Sequence, residues 1–311
     1  MTPPTFSIII PTYNRAQRLS KCLQSLADQT YKNFEVIVAD DGSIDDTSTV
    51  VASFSAELNL KYIYSENWGG PARPRNLAIE ASIANWICFL DSDDWWYPSK
   101  LEVVYRYLNI ADIIYHDCDI YNNDNFIKFK RNRSRQLHAP VFIDLMVHGP
   151  AIVNSSVTVK KDILNKVGKL AEDRLLISVE DFDLWLKISR VTDRFHYINK
   201  SLGAYRTNDN NISQASDFQI ERYNTVYNKH IYLLDENNRK RSLLLQCYFI
   251  GRSKQKMMSY ESAITYFIKS LKSNNYKIKL KSMLLIVISS YYHLYNKLIK
   301  SNKDNYHRKV F

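Results

Sequence analysis

The sequence predicts an α/β fold: a mostly parallel sheet flanked by helices, with an all-helical C-terminal extension. Three observations predict it. Short β-branched runs alternate with segments whose apolar residues recur at helical spacing, the pattern of a parallel sheet covered on both faces. Polar or acidic residues close three of those runs, at Thr12–Arg15, Asp40–Asp41 and Asp91–Asp94. Beyond about residue 217 the strand-like runs stop and the pattern turns wholly helical.

The first strand is Phe6-Ser-Ile-Ile-Ile10, stopped by Pro11 and a Thr12-Tyr13-Asn14-Arg15 turn. Leu19, Cys22, Leu23, Leu26 and Ala27 mark one face of a helix. A second strand, Phe34 to Ala39, ends in Asp40-Asp41-Gly42-Ser43, with Asp45 or Asp46 placed to cap the next helix. Leu60 to Tyr64 reads as a third strand, and Glu66-Asn-Trp-Gly-Gly-Pro71 leads into a helix through Asn76, Leu77 and Ile79. Trp86 to Leu90 is the strand around which the rest is organised. It delivers Asp91, Ser92, Asp93 and Asp94 to its C-terminal end, the edge at which open α/β sheets bind ligands. Like charges packed in one turn raise one another's pKa unless a cation sits among them. Oxygen ligands without His or Cys suit Mg²⁺ or Mn²⁺.

A helix from Pro98 and a strand over Asp112–Tyr121 follow. Residues 122–140 are polar and basic and read as an excursion or mobile loop. Asn154 to Val159 reads as a strand, with a short helix over Asp162–Val167. Glu180-Asp181-Phe182-Asp183 opens a helix, acids first, and Tyr205 to Ser213 is a polar loop. In the helical remainder, Ser262–Lys272 resembles one helix of a tetratricopeptide-like pair, and one copy is too little for a repeat. Lys279 to Lys300 mixes lysines with large apolar residues, as an interfacial helix or a docked one would.

Composition narrows the class. Twenty-two tyrosines against 7 glycines exclude low-complexity disorder. The four cysteines show no close pairing, and Cys22 and Cys88 sit in apolar patterns, so they read as core residues of a reducing compartment. The N-terminus lacks the basic and apolar regions of a secretory signal, and no run reaches the ~20 apolar residues that a bilayer span needs. These features point to a cytoplasmic protein. The net charge of +10 is unevenly held. From residue 215 on, 18 Lys and Arg face 6 Asp and Glu; before it, 24 face 26. The front of the chain is thus near neutral, which argues against nucleic acid there. The basic end fits an anionic membrane surface and a peripheral position at the inner face of the plasma membrane. The chain accordingly divides into a domain over residues 1–214 and a basic helical region over 215–311.

Taken together, Ser7-Ile-Ile-Ile-Pro-Thr-Tyr-Asn-Arg15, Val38-Ala-Asp-Asp-Gly-Ser43, Asn67 through Arg75-Asn76, Phe89-Leu-Asp-Ser-Asp-Asp94 and Glu180-Asp181 resemble, in order and spacing, a family 2 glycosyltransferase of the GT-A fold. The resemblance covers roughly residues 6–213. It implies a nucleotide-sugar donor, usually a UDP-sugar, and an inverting single displacement. Pro11, Thr12, Tyr13 and Arg15 would line the nucleotide pocket, with Asp41 accepting from the uracil N–H. Gly69 and Gly70 would admit the donor to the backbone, Arg75 would pair with a phosphate or with Asp91, Asp91 would lie near the ribose, and Ser92 would belong to the nucleotide-sugar site. Asp93 is the first choice for a Mn²⁺ or Mg²⁺ ligand, with Asp91 and Asp94 beside it. Asp181 is the candidate general base, with Glu180 as its substitute.

Where family members often carry Tyr-Arg-x-His, this chain has Tyr205-Arg206-Thr207-Asn208, so Asn208 stands as a possible replacement metal ligand. No Gln-x-x-Arg-Trp stretch is present, which points to addition of a single sugar rather than processive synthesis. The expected activity is metal-dependent transfer of one hexose or N-acetylhexosamine to a lipid-linked glycan acceptor, as in O-antigen or capsule assembly. A sugar nucleotidyltransferase would want a Gly-rich basic loop after the first strand, which Pro11-Thr-Tyr-Asn does not supply. An inactive helical adaptor is the rival from another class.

Overall fold

The computed structural model describes residues 3–122, 125–132, 134–207 and 215–310. In chain order the front elements are β1 (Phe6–Thr12), α1 (Ala16–Ala27), β2 (Phe34–Asp40), α2 (Thr47–Ser53), β3 (Leu60–Tyr64), α3 (Ala72–Ala81), β4 (Trp86–Phe89), β5 (Trp95–Trp96), α4 (Lys100–Tyr105), β6 (Ile113–Asn122), β7 (Asn125–Asn132), α5 (Val141–His148), β8 (Thr158–Lys160), α6 (Lys161–Lys166), α7 (Glu180–Ile188) and β9 (Phe195–Thr207). The helices α8 (Asp217–His230), α9 (Glu236–Lys256), α10 (Tyr260–Ser270) and α11 (Tyr276–Val310) follow. The chain forms two compact units, Met1–Leu145 with Pro150–Ile212, and Met146–Gly149 with Ser213–Phe311.

The first unit holds a mainly parallel sheet in the order β3-β2-β1-β4-β8-β6-β9-β5, with β7 paired to β6. Pairs β1–β2, β1–β4, β2–β3 and β6–β9 run parallel. The short β8 runs antiparallel between β4 and β6 and joins the two parallel sets. The side-chain alternation of β1 explains why its sequence is continuously apolar. Ile8 and Ile10 enter a core with Val36, Val38, Cys88, Leu90 and the inner face of α1. Ile9, Ile37, Ile87 and Phe89 point the other way and are equally buried, with Phe89 edge-on to Trp185 of α7. A strand covered on both faces has no polar side to display.

Three expectations are corrected. Residues 125–132, expected within a loop, form β7, antiparallel to β6. Its lysines, arginine and asparagines leave no clean apolar alternation for the sequence to show. The stretch 154–159 is a 3₁₀ turn at Asn154–Ser156 before β8. Residues 205–207, expected as loop, close β9 in parallel register with Ile120–Asn122. The two-residue β5, pairing Trp95 and Trp96 with Ala204 and Gly203, has too little length to leave a periodic signal. The cysteines are free thiols; Cys22, Cys88 and Cys118 are buried.

In the second unit, α10 packs on α9 and α11 around Ala263, Phe267 and Leu285. Gly251 makes this approach possible: a Cβ there would stand 2.7 Å from the Phe267 ring. Gly251→Ala is therefore expected to lower the stability of this unit by about 1–3 kcal/mol despite alanine's better helix propensity. Chemical denaturation followed by circular dichroism measures it. No helix among the described residues is long and apolar enough to cross a membrane.

Candidate active site

The C-terminal ends of β1, β2 and β4 lie side by side, because these strands pair in parallel and in register. Their three polar turns thus come to one edge. Asn14, in the left-handed region at φ 49°, reverses the chain after β1. Its amide N donates to Ser43 Oγ at 2.8 Å, and Ile44 N donates to Asn14 Oδ1 at 2.8 Å, which ties the first turn to the second. Pro11 and Thr12 are buried, and the Thr12 hydroxyl has no hydrogen-bond partner among the described residues. Tyr13 is exposed.

Asp40 and Asp41 have separate tasks. Asp40 accepts from Ser43 N at 2.8 Å and from the Tyr62 hydroxyl at 2.5 Å, closing its own turn. The buried Asp41 reaches the next loop, accepting from Trp68 N at 2.8 Å and Gly69 N at 3.0 Å. Its carboxylate oxygens each keep a second lone pair for a ligand N–H. Gly42 makes the geometry possible: its φ is +85°, and a Cβ would stand 2.8 Å from Asn67 N. Gly42→Ala is expected to displace the Asn67–Gly69 loop. The predicted result is donor affinity weakened roughly tenfold or more, corresponding to strain of order 1–3 kcal/mol, read by calorimetric titration with nucleotide. Gly70 packs beside Ile177.

The acids after β4 are each held differently. Asp91 Oδ1 accepts from Arg75 at 2.5 Å and from Asn154 Nδ2 at 3.1 Å, and Asp91 N donates to Ser155 Oγ at 3.1 Å. Ser92 is buried. Asp93 pairs with Arg15 at 2.8 Å, and Arg18 lies at 3.8 Å. Burial raises its pKa, Arg15 opposes that rise and Asp91 adds to it. Asp94 is buried, with one oxygen on the Ser155 hydroxyl at 2.5 Å and the other on Arg206 N at 2.9 Å. Burial, then Asp93 and Asp91, hold its pKa well above the ordinary value. Asp94 therefore braces β9 and the Ser155 turn from behind the turn. Asn208 lies outside the described residues.

The chemistry of this donor set suits a divalent cation. The charges of Asp93 and Asp94 are opposed by burial and by neighbouring carboxylates, and a hard cation relieves both. Asp93 is the acid whose charge is met by half-buried arginine side chains, Arg15 and Arg18. As arranged here, no group of three His, Cys, Asp or Glu among the described residues is gathered around one point.

Arg75 joins the strand ends to α7. It is buried on α3, donating from one terminal nitrogen to Asp91 and from the other to Glu180 Oε1 at 2.6 Å. Burial works against its charge, but Asp91 and Glu180 overcome this, and its pKa lies above the ordinary value. Glu180 is buried and its second oxygen has no hydrogen-bond partner among the described residues. Asp181 is only partly buried and accepts from Phe182 N at 2.7 Å. Burial, then the charge of Glu180, push its pKa up to about 7, with Arg75 pulling against them. Two adjacent acids are thus differentiated: Glu180 is fixed in a buried ion pair, and Asp181 is reachable and titrates near neutrality. Residues that sequence reasoning missed are Asn154, Ser155 and Arg18. The polar Asn154-Ser-Ser156 run was the one signal for Asn154 and Ser155; Arg18, one charge on the polar side of α1, left none.

A model described as glycosyl transferase family 2 matches residues 7–168. An uncharacterized glycosyltransferase of Rickettsia typhi is 30% identical over 235 residues, covering 72% of this chain and 70% of that protein. The amylovoran biosynthesis glycosyltransferase AmsB of Erwinia amylovora is 28% identical over 211 residues, covering 65% and 69%. Other relatives are longer: the chain spans 30% of an uncharacterized glycosyltransferase of Rickettsia conorii, at 30% identity and 59% of this chain. Among solved structures, S. aureus TarS 1–349 in complex with UDP-GlcNAc aligns with TM-score 0.59 at 19% identity over 90% of this chain and 92% of that one. The mannosyltransferase PcManGT from Pyrobaculum calidifontis, in complex with GDP-Man and Mn²⁺, aligns with TM-score 0.59 at 14% identity over 94% and 88%. At these identities the likeness is one of fold.

Proposed function

The chain belongs to glycosyl transferase family 2, and from that premise we propose that it transfers a single hexose or N-acetylhexosamine from a UDP-sugar, with inversion, to a lipid-linked glycan acceptor in surface polysaccharide synthesis. Residues 1–214 form the catalytic part in this reading. The basic residues 215–311 keep the enzyme at the inner membrane face. The observation that carries the reading is the Arg75 tie, which joins the strand-end acid Asp91 to Glu180, the helix-start acid next to Asp181. A relative named for amylovoran biosynthesis and a structural neighbour holding UDP-GlcNAc support the pathway and donor.

The nucleotide lies against Pro11, Thr12, Tyr13 and Asp41, with Asp41 accepting from the uracil imide. The backbone at Gly69 and Gly70 borders the donor. Asp93, with Asp91, would hold Mn²⁺ or Mg²⁺, which supplies Lewis-acid stabilisation of the departing diphosphate. Asp94 keeps that turn in place. The acceptor hydroxyl oxygen attacks the anomeric carbon from the face opposite the diphosphate. As the new bond forms, its proton passes to Asp181 and the bond to the diphosphate oxygen breaks. One carboxylate suffices, since a single displacement needs no enzyme nucleophile. Arg75 is the residue that keeps Asp181 from rising further out of the working range, by neutralising the charge of Glu180 beside it.

The test is a panel of nucleotide sugars with and without Mn²⁺, read by thermal stabilisation and by slow release of nucleoside diphosphate. The expected result is a response to one UDP-sugar that EDTA abolishes. A response to no donor in either condition would overturn the proposal and favour an adaptor role.

A further inference from the structure

Among the described residues, the long helix α11 has a buried seam and, turned away from it, an apolar face open to solvent. Ile278, Ser282, Leu285 and Ser289 are buried. Leu285 enters the small core with Ala263 and Phe267. Ser282 shares a hydrogen bond of 2.7 Å with Ser270, and Ser289 accepts from Gln255 at 3.0 Å. Turned away from this seam, Leu280, Met283, Leu284, Val287, Tyr291 and Leu294 recur at helical spacing and are all open to solvent, with Leu280 68%, Leu284 60% and Val287 67% exposed. A contiguous apolar surface of this kind marks a contact site rather than ordinary surface.

Charge identifies the occupant. At about 100° per residue, Lys281 lies on one side of the Leu280 line, and Lys279 and Lys297 lie on the other. Residues 282–296 carry no charge, and no acidic residue occurs between Glu261 and Asp304. An apolar stripe with lysines at both ends, at Lys279 and Lys281 and at Lys297, and tyrosines in its second half is built for an interface where hydrocarbon meets anionic headgroups. A second copy of the same stripe would set lysine against lysine. The uncharged stretch is about 22 Å long, shorter than a bilayer's hydrocarbon core, so the helix suits an in-plane position and not a span.

We propose that the exposed face of α11 between Leu280 and Leu298 is the membrane-contact surface of this protein, lying in the plane of an anionic bilayer with its lysines at headgroup level. The inference rests on the reading of a lipid-linked acceptor for its purpose, yet the two fail separately, because vesicle binding is read without catalysis and nucleotide response is read without vesicles.

The experiment is co-flotation of the full chain with vesicles of phosphatidylcholine alone and with about one third phosphatidylglycerol. Three variants accompany it: Val287→Glu, Leu284→Glu and Tyr291→Trp. The altered side chains are exposed, so circular dichroism and thermal midpoint should match the unaltered chain. Expected are binding to the anionic vesicles, at least tenfold loss on Val287→Glu or Leu284→Glu, weakening by salt, and a blue-shifted emission from Tyr291→Trp on binding. Absence of binding by the unaltered chain, or unchanged binding by both Glu variants, would overturn the proposal. A concentration-dependent dimer that the Glu variants dissolve would overturn it in favour of a second copy.

Discussion

Asp181→Asn is expected to abolish sugar transfer, with kcat lowered by about 10²–10⁴-fold, while donor affinity stays within a few-fold of the unaltered chain. The amide keeps the size and the bond from Phe182 N but has no basic oxygen for the acceptor proton. Two pH dependences follow from a carboxyl pushed up to about 7. If Asp181 is the base, kcat rises about tenfold per pH unit below 7 and levels above it. Stability takes the opposite course. The folded state holds this proton to a higher pH than the unfolded chain does, so stability falls as pH rises from about 4 to about 7. Asp181→Asn removes that loss, and its thermal midpoint should exceed the unaltered chain's by a few degrees at pH 8 and match it near pH 4. Substantial transfer by this variant would move the base elsewhere; a pH-independent difference in midpoint would show that Asp181 is not the titrating group.

Arg75→Met should be the most damaging substitution for the front unit. It strands Asp91 and the buried Glu180 without their shared cation. Removing one partner of a buried ion pair costs about 3–5 kcal/mol, which for a unit of this size is a fall of roughly 10 °C in midpoint. Arg75→Lys keeps the charge but cannot present two terminal nitrogens to two acids, so it should recover only part of the loss. Because Arg75 opposes the rise of Asp181, either variant should move the acid limb of the kcat–pH profile upward. A stable Arg75→Met with an unmoved profile would show that the two acids are held by other means.

The elements most legible in sequence were β1, β2 and β4, because burial on both faces forces unbroken apolar runs that polar residues end abruptly. Their acids were legible for the same reason. The elements that escaped were β5, β7 and β9. Trp95–Trp96 is too short to show a period, Asn125–Asn132 is a marginal strand with charged residues, and Phe195–Thr207 mixes lysine, asparagine and tyrosine with glycine. The partners of β5 and β9 lie 80 or more residues away in sequence, as in Ile113 opposite Phe195 and Trp95 opposite Ala204, so no local pattern reports them.

By itself the sequence determined which residue types close each strand, and hence that oxygen donors and a Glu-Asp pair would be available. It also determined the uneven charge that leaves the helical end basic. Only the tertiary structure decided what each acid does. Asp91, Asp93 and Asp94 are near neighbours in sequence, yet they meet an arginine from α3, arginines from the start of the chain, and a backbone amide from β9. Glu180 and Asp181 are adjacent, but the helix turn sends one toward Arg75 in the interior and leaves the other within reach of solvent. Ionisation depends on burial and on charges a few ångströms away, and both are properties of packing rather than of order along the chain.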